Sequence, residues 1–554
     1  MDPISGREER EIDALVGQPT RTLALGGAYD GAARFDKQIA GWYPPLQSAD
    51  AEIMPDKGLL DARSRDMGRN DAYVQGGATL HKDGIVGAFY MLNAKPSWNV
   101  LGKTEEWAEQ FQQEVEAKFT LWAESPMKWV DASRQNDLTS LVRLAVGVYT
   151  FTGETLATAE YVRQAGREFR TAIQMVDTDR LSTPTTMAYD STIRGGLKLD
   201  RYGAPQSAFI RVRHPNDYHT AVPEYWWKEV PIYKPWGRQQ VIYIREQMRV
   251  DQTRAIADIV AGLKEIAITK KFRDVTLQKA VLAATYAATI ESELPPQAVY
   301  EQLGMTGGAG AATTQYATQF LAALSEYTGA SKNMLIDGVK IPHLYPGTKL
   351  NFQHAADPAG VGQEFEQSLL RYIAASLNVS YEELARDYSK TNYSSARAAM
   401  ATTYRFMQSR KRIVADTFAS SIYRLWLEEA INQDKLESFP ASEAAMLYSD
   451  GYLNLMFDAL ASCVWIGAAR GQIDELKETQ AAVLRIKYGL STHEDELSRM
   501  GKDWRQVYSQ LEREAKERKD RKITLFEDNS VNAASGTTRE DQSDGTDGQT
   551  SNAE

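Results

Sequence analysis

Cysteine is nearly absent from this 554-residue chain, in which Cys463 stands alone. One thiol forms neither an intrachain disulfide nor a cysteine metal cluster, which suits a protein that folds in a reducing cytoplasm. Cys463 itself reads as a small, half-buried apolar residue beside Trp465. Long apolar runs are missing too: none approaches the roughly 18 residues that span a bilayer. The N-terminal MDPISGREEREID is charged where a signal peptide is apolar. The chain is therefore expected to stay in solution, with no membrane partner. Excess positive charge is also lacking. A formal net charge of −11 excludes a protein that grips DNA over its whole surface, because phosphate neutralisation needs a basic face. It leaves room for a surface along which a duplex slides, since sparse basic groups hold moving DNA loosely. There is no repeat at a solenoid period.

The chain is too long for one growing core, so two or more compact units are expected. Residues 1–40 are charged and Gly-rich and read as a flexible arm. Residues 41–251 alternate helical segments, such as EEWAEQFQQEVEAKFTLWAE from Glu105, with strand-like pieces such as FIRVR from Phe209, a mixed α/β pattern. VIYIRE from Val241 reads as a strand. The set Ile256, Ile259, Val260, Leu263 and Ile266 then takes up the 3.6-residue helical period. No proline falls between Pro235 and Pro295, so helix is expected to continue through Lys279 to Ile290. Residues 293–359 hold PP, GMTGGAGAATT and IPHLYPGTKLNF, an excursion of loops and short strands. Helical periodicity resumes at Gln363, a polar break covers Asp387 to Tyr393, and a long helix follows to Asp434 with Ser394 or Ser395 as N-cap. Its apolar stripe is Met400, Met407, Val414, Phe418, Ile422 and Leu425. Further helices fill 435–528, and the acidic, Ser/Gly/Thr-rich tail 529–554 reads as disordered. The fold class is α+β, predominantly helical.

No set of residues assembles a nucleophile, a base and an orienting group. The glycines Gly304, Gly307, Gly308 and Gly310 lack the Lys-Ser/Thr of a P-loop. Ser125 and Lys128 have the Ser-x-x-Lys spacing of some hydrolases, but Pro126 interrupts it and no companion motif follows. His214, Asp217 and His219 put two imidazoles and a carboxylate close in sequence. Their spacing is not helical and Pro215 marks a loop, so no metal site is expected there. The pairs Glu291/Glu293 and Glu428/Glu429 resemble acid–base carboxylates and read as solvated helix ends. No enzyme and no cofactor is expected.

Two basic sets stand out. Lys264, Lys270, Lys271, Arg273 and Lys279 lie on the first long helix, and Arg397, Arg405, Arg410, Lys411, Arg412 and Arg424 on the second. Such residues ordinarily form a solvated face with ion pairs along the helix. The second set has few acids nearby in sequence, so DNA or an adjacent subunit is expected to relieve its repulsion.

The stretch 364–434, with FEQSLLRYIAASLNVSYEELARDYSKTNYSSARAAM from Phe365, is the most distinctive. Together with WIGAARGQIDELKE from Trp465, AATIESEL from Ala287 and LHKDGIVG from Leu80, it resembles the lambda-type portal proteins of tailed bacteriophages. The resemblance runs from about Trp42 to Glu514. It implies a ring, a dodecamer in that family, at one capsid vertex of the virion, assembled in the host cytoplasm. Double-stranded DNA is packaged through such a ring by terminase, whose large subunit docks on it, and is later ejected. Major capsid or scaffold proteins and head-completion adaptors are the other implied partners.

On this chain the resemblance makes 41–251 the wing, 252–292 the outgoing stem helix, 293–359 the clip and 360–385 the returning stem helix. It makes 386–393 a tunnel loop with Ser389, Lys390, Thr391 and Asn392 near its tip, 394–434 the long helix, and 435–528 wing and crown. A loop-rich insert of about 65 residues is unusual inside a compact domain and is expected of a clip. Tyr300, Tyr316, Phe320, Tyr327 and Tyr345 are its aromatic candidates for subunit and terminase contact. Lys264, Lys270, Lys271, Arg397 and Arg405 are the basic candidates for channel or intersubunit contact. Relatives tend to have Arg-Gly before the outgoing helix where this chain has Arg254-Ala255, so an earlier helix start is expected here. A DNA-binding protein that forms no ring, or a hydrolase using Ser125 and Lys128, are the alternatives. Salt-dependent duplex affinity of a monomer would mark the first and turnover the second, while a ring in a negative-stain image separates the portal from both.

Overall fold

The computed structural model describes residues 32, 37–39, 41–217, 225–285, 334–336, 339–341, 361–389, 391–471 and 475–523. The clip aromatics Tyr300, Tyr316, Phe320, Tyr327 and Tyr345 lie outside them, as do Gly304 to Gly310, Glu291, Glu293, His219 and Lys390.

The chain opens with helices α1 (Ala49–Ile53), α2 (Lys57–Asn70) and α3 (Ala72–Ile85), strand β1 (Met91–Ala94), and helices α4 (Glu105–Ala123) and α5 (Leu138–Thr152). α4 forms where the 3.6-residue pattern predicts it. Thr104 caps it by accepting from the Trp107 amide, and Glu105 and Glu106 sit favourably in its first turn. Asp137 caps α5, which ends at Gly153 with φ +73. A side chain there is excluded, since a Cβ would stand 2.2 Å from the Ile256 carbonyl oxygen.

Two antiparallel sheets follow. β2 (Glu154–Tyr161) lies between β3 (Thr171–Val176) and β8 (Val241–Arg245). β4 (Ile193–Arg194), β5 (Leu197–Leu199), β6 (Pro205–Arg211) and β7 (Trp227–Pro231) form a meander. The expected strands at Phe209 and Val241 are β6 and β8.

α6 (Leu263–Thr285) comes next, then the paired strands β9 (Met334–Ile336) and β10 (Val339–Ile341), and α7 (Val361–Ser376). α6 and α7 are antiparallel neighbours. Phe272 meets Phe365 edge-on at 5.6 Å, Arg273 pairs with Glu366 at 2.7 Å, and Gly262 faces Ser376. The earlier helix start is not observed. Residues 252–257 form no regular element and a 3-10 turn covers Asp258–Gly262 before α6 begins. The reason is a competing interaction, because the Arg254 side chain and the Ala255 amide both go to Glu154. The positive φ falls on Asp251 (φ 60).

After α8 (Tyr381–Ala385), α9 (Tyr393–Arg410) runs through a π turn at Lys411–Asp416 into α10 (Thr417–Asn432). The N-cap is Asn392, which accepts from the Ser395 amide at 2.8 Å, rather than Ser394 or Ser395. An Asn carbonyl reaches a free amide three residues on as well as a hydroxyl does. β11 (Tyr448–Ser449), β12 (Tyr452–Leu453), α11 (Leu455–Leu460), β13 (Cys463–Ile466), α12 (Glu475–Lys487), α13 (His493–Arg499) and α14 (Trp504–Arg521) complete the chain. β13 returns to pair with β1, so that Leu92 faces Trp465.

The main core centres on α10. Phe119 packs edge-on against Tyr423 and Trp426, and Tyr90 stacks on Trp465. Met407, Val414, Phe418, Ile422 and Leu425 of the expected stripe are buried in it, and the same core takes in Ile266, Ile373 and Leu377 at the base of the helix pair. Cys463 is half-buried beside Trp465 and lies 3.6 Å from the Ser420 hydroxyl. Among the described residues no helix is long and apolar enough to cross a membrane.

Candidate functional site: the loop before the long helix and the basic helix faces

The break between α8 and α9 is a loop with anchored ends. Upstream, Ser380 and Glu383 form a capping box, and Thr403 on α9 donates to the same Glu383 carboxylate at 2.6 Å. Arg386 then turns left-handed at φ 53. Asp387 accepts from both the amide and the hydroxyl of Ser389, and the Thr391 amide donates to the Tyr388 carbonyl. Ser389 and Asn392 are exposed and Thr391 is half-buried. Asn392 spends its side-chain carbonyl on the cap, which leaves the two N–H bonds of its side-chain amide to donate.

The basic residues split by environment. Lys264 and Lys271 are exposed and Lys270 half-buried, and none forms an ion pair with another described residue. Arg397 and Arg405 on α9 are exposed, Arg397 reaching Glu478 only at 4.0 Å. Arg273 is neutralised by Glu366 and lies over the Tyr73 ring.

Arg410, Lys411 and Arg424 need no outside partner, contrary to expectation. Arg410 is buried at the π turn, bonded to Asp258 at 2.6 Å and to the Tyr149 hydroxyl at 2.6 Å. Lys411 meets Asp416 at 2.7 Å and the Trp465 carbonyl at 2.8 Å, and Arg424 meets Asp458 at 2.5 Å. Their acids are mostly distant in sequence, which is why the local charge count missed them.

Glu428 and Glu429 are likewise buried rather than solvated. Glu428 pairs with Arg238 at 2.5 Å, and Glu429 accepts the amides of Arg170 and Thr171 at 2.7 Å each. Both tie α10 to the sheets, because that end of α10 is covered by the loops around β3 and β8. Ser125 and Lys128 form a turn. The hydroxyl accepts from the Met127 amide, and the ammonium goes to the Gln135 carbonyl.

The densest polar cluster gave no signal in the sequence. Glu154, at the start of β2, is fully buried and accepts from Arg254 Nε at 3.0 Å and the Tyr243 hydroxyl at 2.7 Å, with Lys57 3.3 Å away. Burial alone would raise its carboxyl, but Arg254 and Lys57 outweigh that and hold it down at about 2. Asp61 shares Lys57 at 2.9 Å, yet burial dominates there and pushes it up to about 6. Its second oxygen has no hydrogen-bond partner among the described residues, consistent with that direction. Arg254 also donates to the carbonyls of Leu181, Gly195 and Thr178. This cluster joins α2, both sheets and the extended lead into α6. A second anchor is His81, buried on α3, whose Nε2 lies 2.8 Å from the Leu377 carbonyl, just past α7.

An α+β chain with an antiparallel helix pair flanking an insert, and a short anchored loop before a long helix, defines a structural scaffold class. The model of the lambda family of phage portal proteins matches residues 35–411, and the chain belongs to that family. It is 34% identical over 511 residues to the portal protein of Escherichia phage N15, covering 92% of this chain and 94% of that one. It is 35% identical to portal protein B of Escherichia phage lambda, covering 92% and 93%. Among solved structures it is similar to a chain from the neck of a native gene transfer agent particle computed with C12 symmetry. That match has 12% identity and TM-score 0.37, covering 79% of this chain and 93% of that one.

Proposed function

We propose that this chain is the subunit of a portal ring at one vertex of a phage capsid, through which terminase packages double-stranded DNA and from which the DNA later leaves. Family membership over most of the chain carries the reading. The antiparallel pair α6 and α7 supports it further: on this reading they are the stem helices, and the insert between them is the clip on which terminase and, later, head-completion proteins dock. The same reading places the assembled ring in the virion and its assembly, with major capsid or scaffold proteins, in the host cytoplasm.

The exposed side of the helix pair also fits a ring. Ile268, Val275 and Leu277 on α6 and Phe365 and Tyr372 on α7 are large apolar residues left in solvent by the single chain, Leu277 at 67% exposure. Apolar surface of that kind, with Ile268 and Val275 on one side of α6 and Leu277 on the other, suits a helix pair flanked by partners. A neighbouring stem covers it in a closed, heterologous ring. The loop 386–393 then faces the channel, where Lys390 forms a sparse ring of positive charge against phosphate, sequence-independent and salt-sensitive. Lys264, Lys270, Lys271, Arg397 and Arg405 are the remaining uncommitted cations for DNA or a neighbour.

Native mass spectrometry of the purified chain tests the ring. A chain that stays monomeric or dimeric at every concentration overturns the reading. Lys390→Ala tests the loop, since it should leave ring assembly intact and impair DNA packaging or retention. Unchanged packaging and retention would remove that lysine from the mechanism.

A further inference from the structure

The wing holds a second polar site that the portal reading does not use. β3 ends at Val176 and passes into a 3-10 turn, Thr178–Arg180, with Asp177 as its cap. β6 ends at Arg211, three residues before His214. These two strand ends belong to different sheets and are held side by side. Leu181 bridges to Ile210, and the Arg180 guanidinium donates to the carbonyls of Arg211 and Val212 at 2.8 and 3.1 Å. The result is a convergence of Asp177, Asp179 and His214, with one ligand atom from each lying within 4.8 Å of the others.

The imidazole is set for a metal. Its Nδ1 lies 2.7 Å from the Pro215 carbonyl oxygen. A carbonyl only accepts, so Nδ1 carries a proton, and Nε2 is the nitrogen whose lone pair a metal would take in the neutral ring. A backbone carbonyl fixing the far nitrogen is the outer-shell arrangement of metal-bound histidines. Nε2 points at Asp179 Oδ2, 3.4 Å away, and at Asp177 Oδ2, 3.6 Å away. Both separations exceed an ordinary hydrogen bond. They are close to the edge of a tetrahedron whose centre holds ligands at about 2.0–2.1 Å, an edge of about 3.3–3.4 Å.

Arg65 shares both carboxylates: it binds Asp179 through Oδ1, leaving Oδ2 on the His214 side, and its guanidinium lies 3.4 Å from both oxygens of Asp177, so a metal takes Asp177 Oδ2 in competition with that long contact. All three ligand side chains keep a solvent-facing part, the imidazole at 41%, so a cation can enter and retain water.

We propose that Asp177, Asp179 and His214 form a zinc site that staples the two wing sheets together, with water completing a tetrahedral shell. One imidazole and two carboxylates suit zinc and give a neutral ion–ligand set before Arg65 is counted. Of the sequence candidates, His214 is a ligand here, but its partners come from the turn after β3, about 35 positions upstream, a distance that local spacing rules do not search.

The test uses full-length, untagged protein stripped with EDTA. Zinc sulfate is titrated in competition with a chromogenic chelator, and cobalt replaces zinc for spectroscopy. One zinc should bind per chain, cobalt should give the strong visible absorption of a four-coordinate site, and zinc should raise the Tm. His214→Ala should weaken binding by more than the 10–100-fold that losing an outer-shell partner costs and abolish the Tm rise, while His493→Ala, at an exposed histidine on α13, should change neither. Should His214→Ala be insoluble, Asp177→Asn at an exposed side chain carries the same expectation. Failure of the wild-type chain to bind zinc, or equal affinity in the wild type and the ligand variant, overturns the site. Neither result touches the ring, which mass spectrometry reads separately.

Discussion

Single residues set the pH response of the part of the chain that carries the two sheets. Glu154 sits at about 2 instead of its ordinary 4.5. Its contribution to stability is therefore complete above about pH 4.5 and is lost as pH falls toward 2. Asp61 works in the opposite sense. Raised from 3.8 to about 6, it favours the fold below its unfolded pKa, and that contribution fades as pH rises through 6. Glu154→Gln leaves Arg254 buried without its counter-charge and should cost about 3–5 kcal/mol, read by urea unfolding at pH 7, with the acid-limb pH dependence flattened as well. Asp61→Asn should flatten the slope between about pH 4 and 6. A stability–pH curve identical to that of the wild type in either variant would mean that these carboxyls do not titrate as the cluster dictates. The corrections at this scale share one cause: the acids that bury Arg254 and Arg410 lie about 100 and 150 positions away in the chain, beyond any local charge pattern.

Among the elements, the long helix is where periodicity succeeded and fell short. The stripe from Met407 to Leu425 is buried as a 3.6-residue repeat requires, but the π turn at Lys411–Asp416 has no signal in composition. It adds a residue to one turn, and Arg410 and Lys411 enter the interior there. Deleting one residue within it would close the wide turn to regular α-helix with the flanking faces kept in phase. Arg410 would lose its bond to Asp258 and Lys411 its bond to the Trp465 carbonyl. A loss of several kcal/mol is expected by analogy with other broken buried pairs, measured by urea unfolding; wild-type stability would show that the π turn is dispensable. The clip is the second test. Replacing 295–358 with a short linker should leave the wing soluble, because the described main core takes no residue from that segment, and should abolish terminase recruitment in a pull-down. Retained recruitment would move the docking surface elsewhere.

At the scale of the whole molecule, the exposed apolar residues on α6 matter more than the net charge. Val275 and Leu277 are 54% and 67% exposed in the single chain. Replacing both with Glu should change the stability of a monomer by about 0.5 kcal/mol or less per site. The same change should shift native mass spectra from rings toward single chains, since each charge would be buried at a subunit interface. Rings that persist undiminished would place the interface on another face.

By itself the sequence determined the helices and strands whose apolar spacing is unambiguous: α4, β8, the two helices on either side of the insert and the stripe of the long helix. It also carried the family resemblance, because ordered motifs survive without knowledge of any contact. Tertiary structure alone decided which charges are spent. Glu428 and Glu429 read as solvated helix ends and Arg410 as a charge on a solvated face, while the Glu154–Arg254 pair gave no signal, until the fold closes over them. Asp177 and Asp179 meet His214 only because two strands of different sheets end side by side. Periodicity is a local property of the chain, whereas the partner of a buried charge is whatever the packing brings to it, and no window along the sequence contains both.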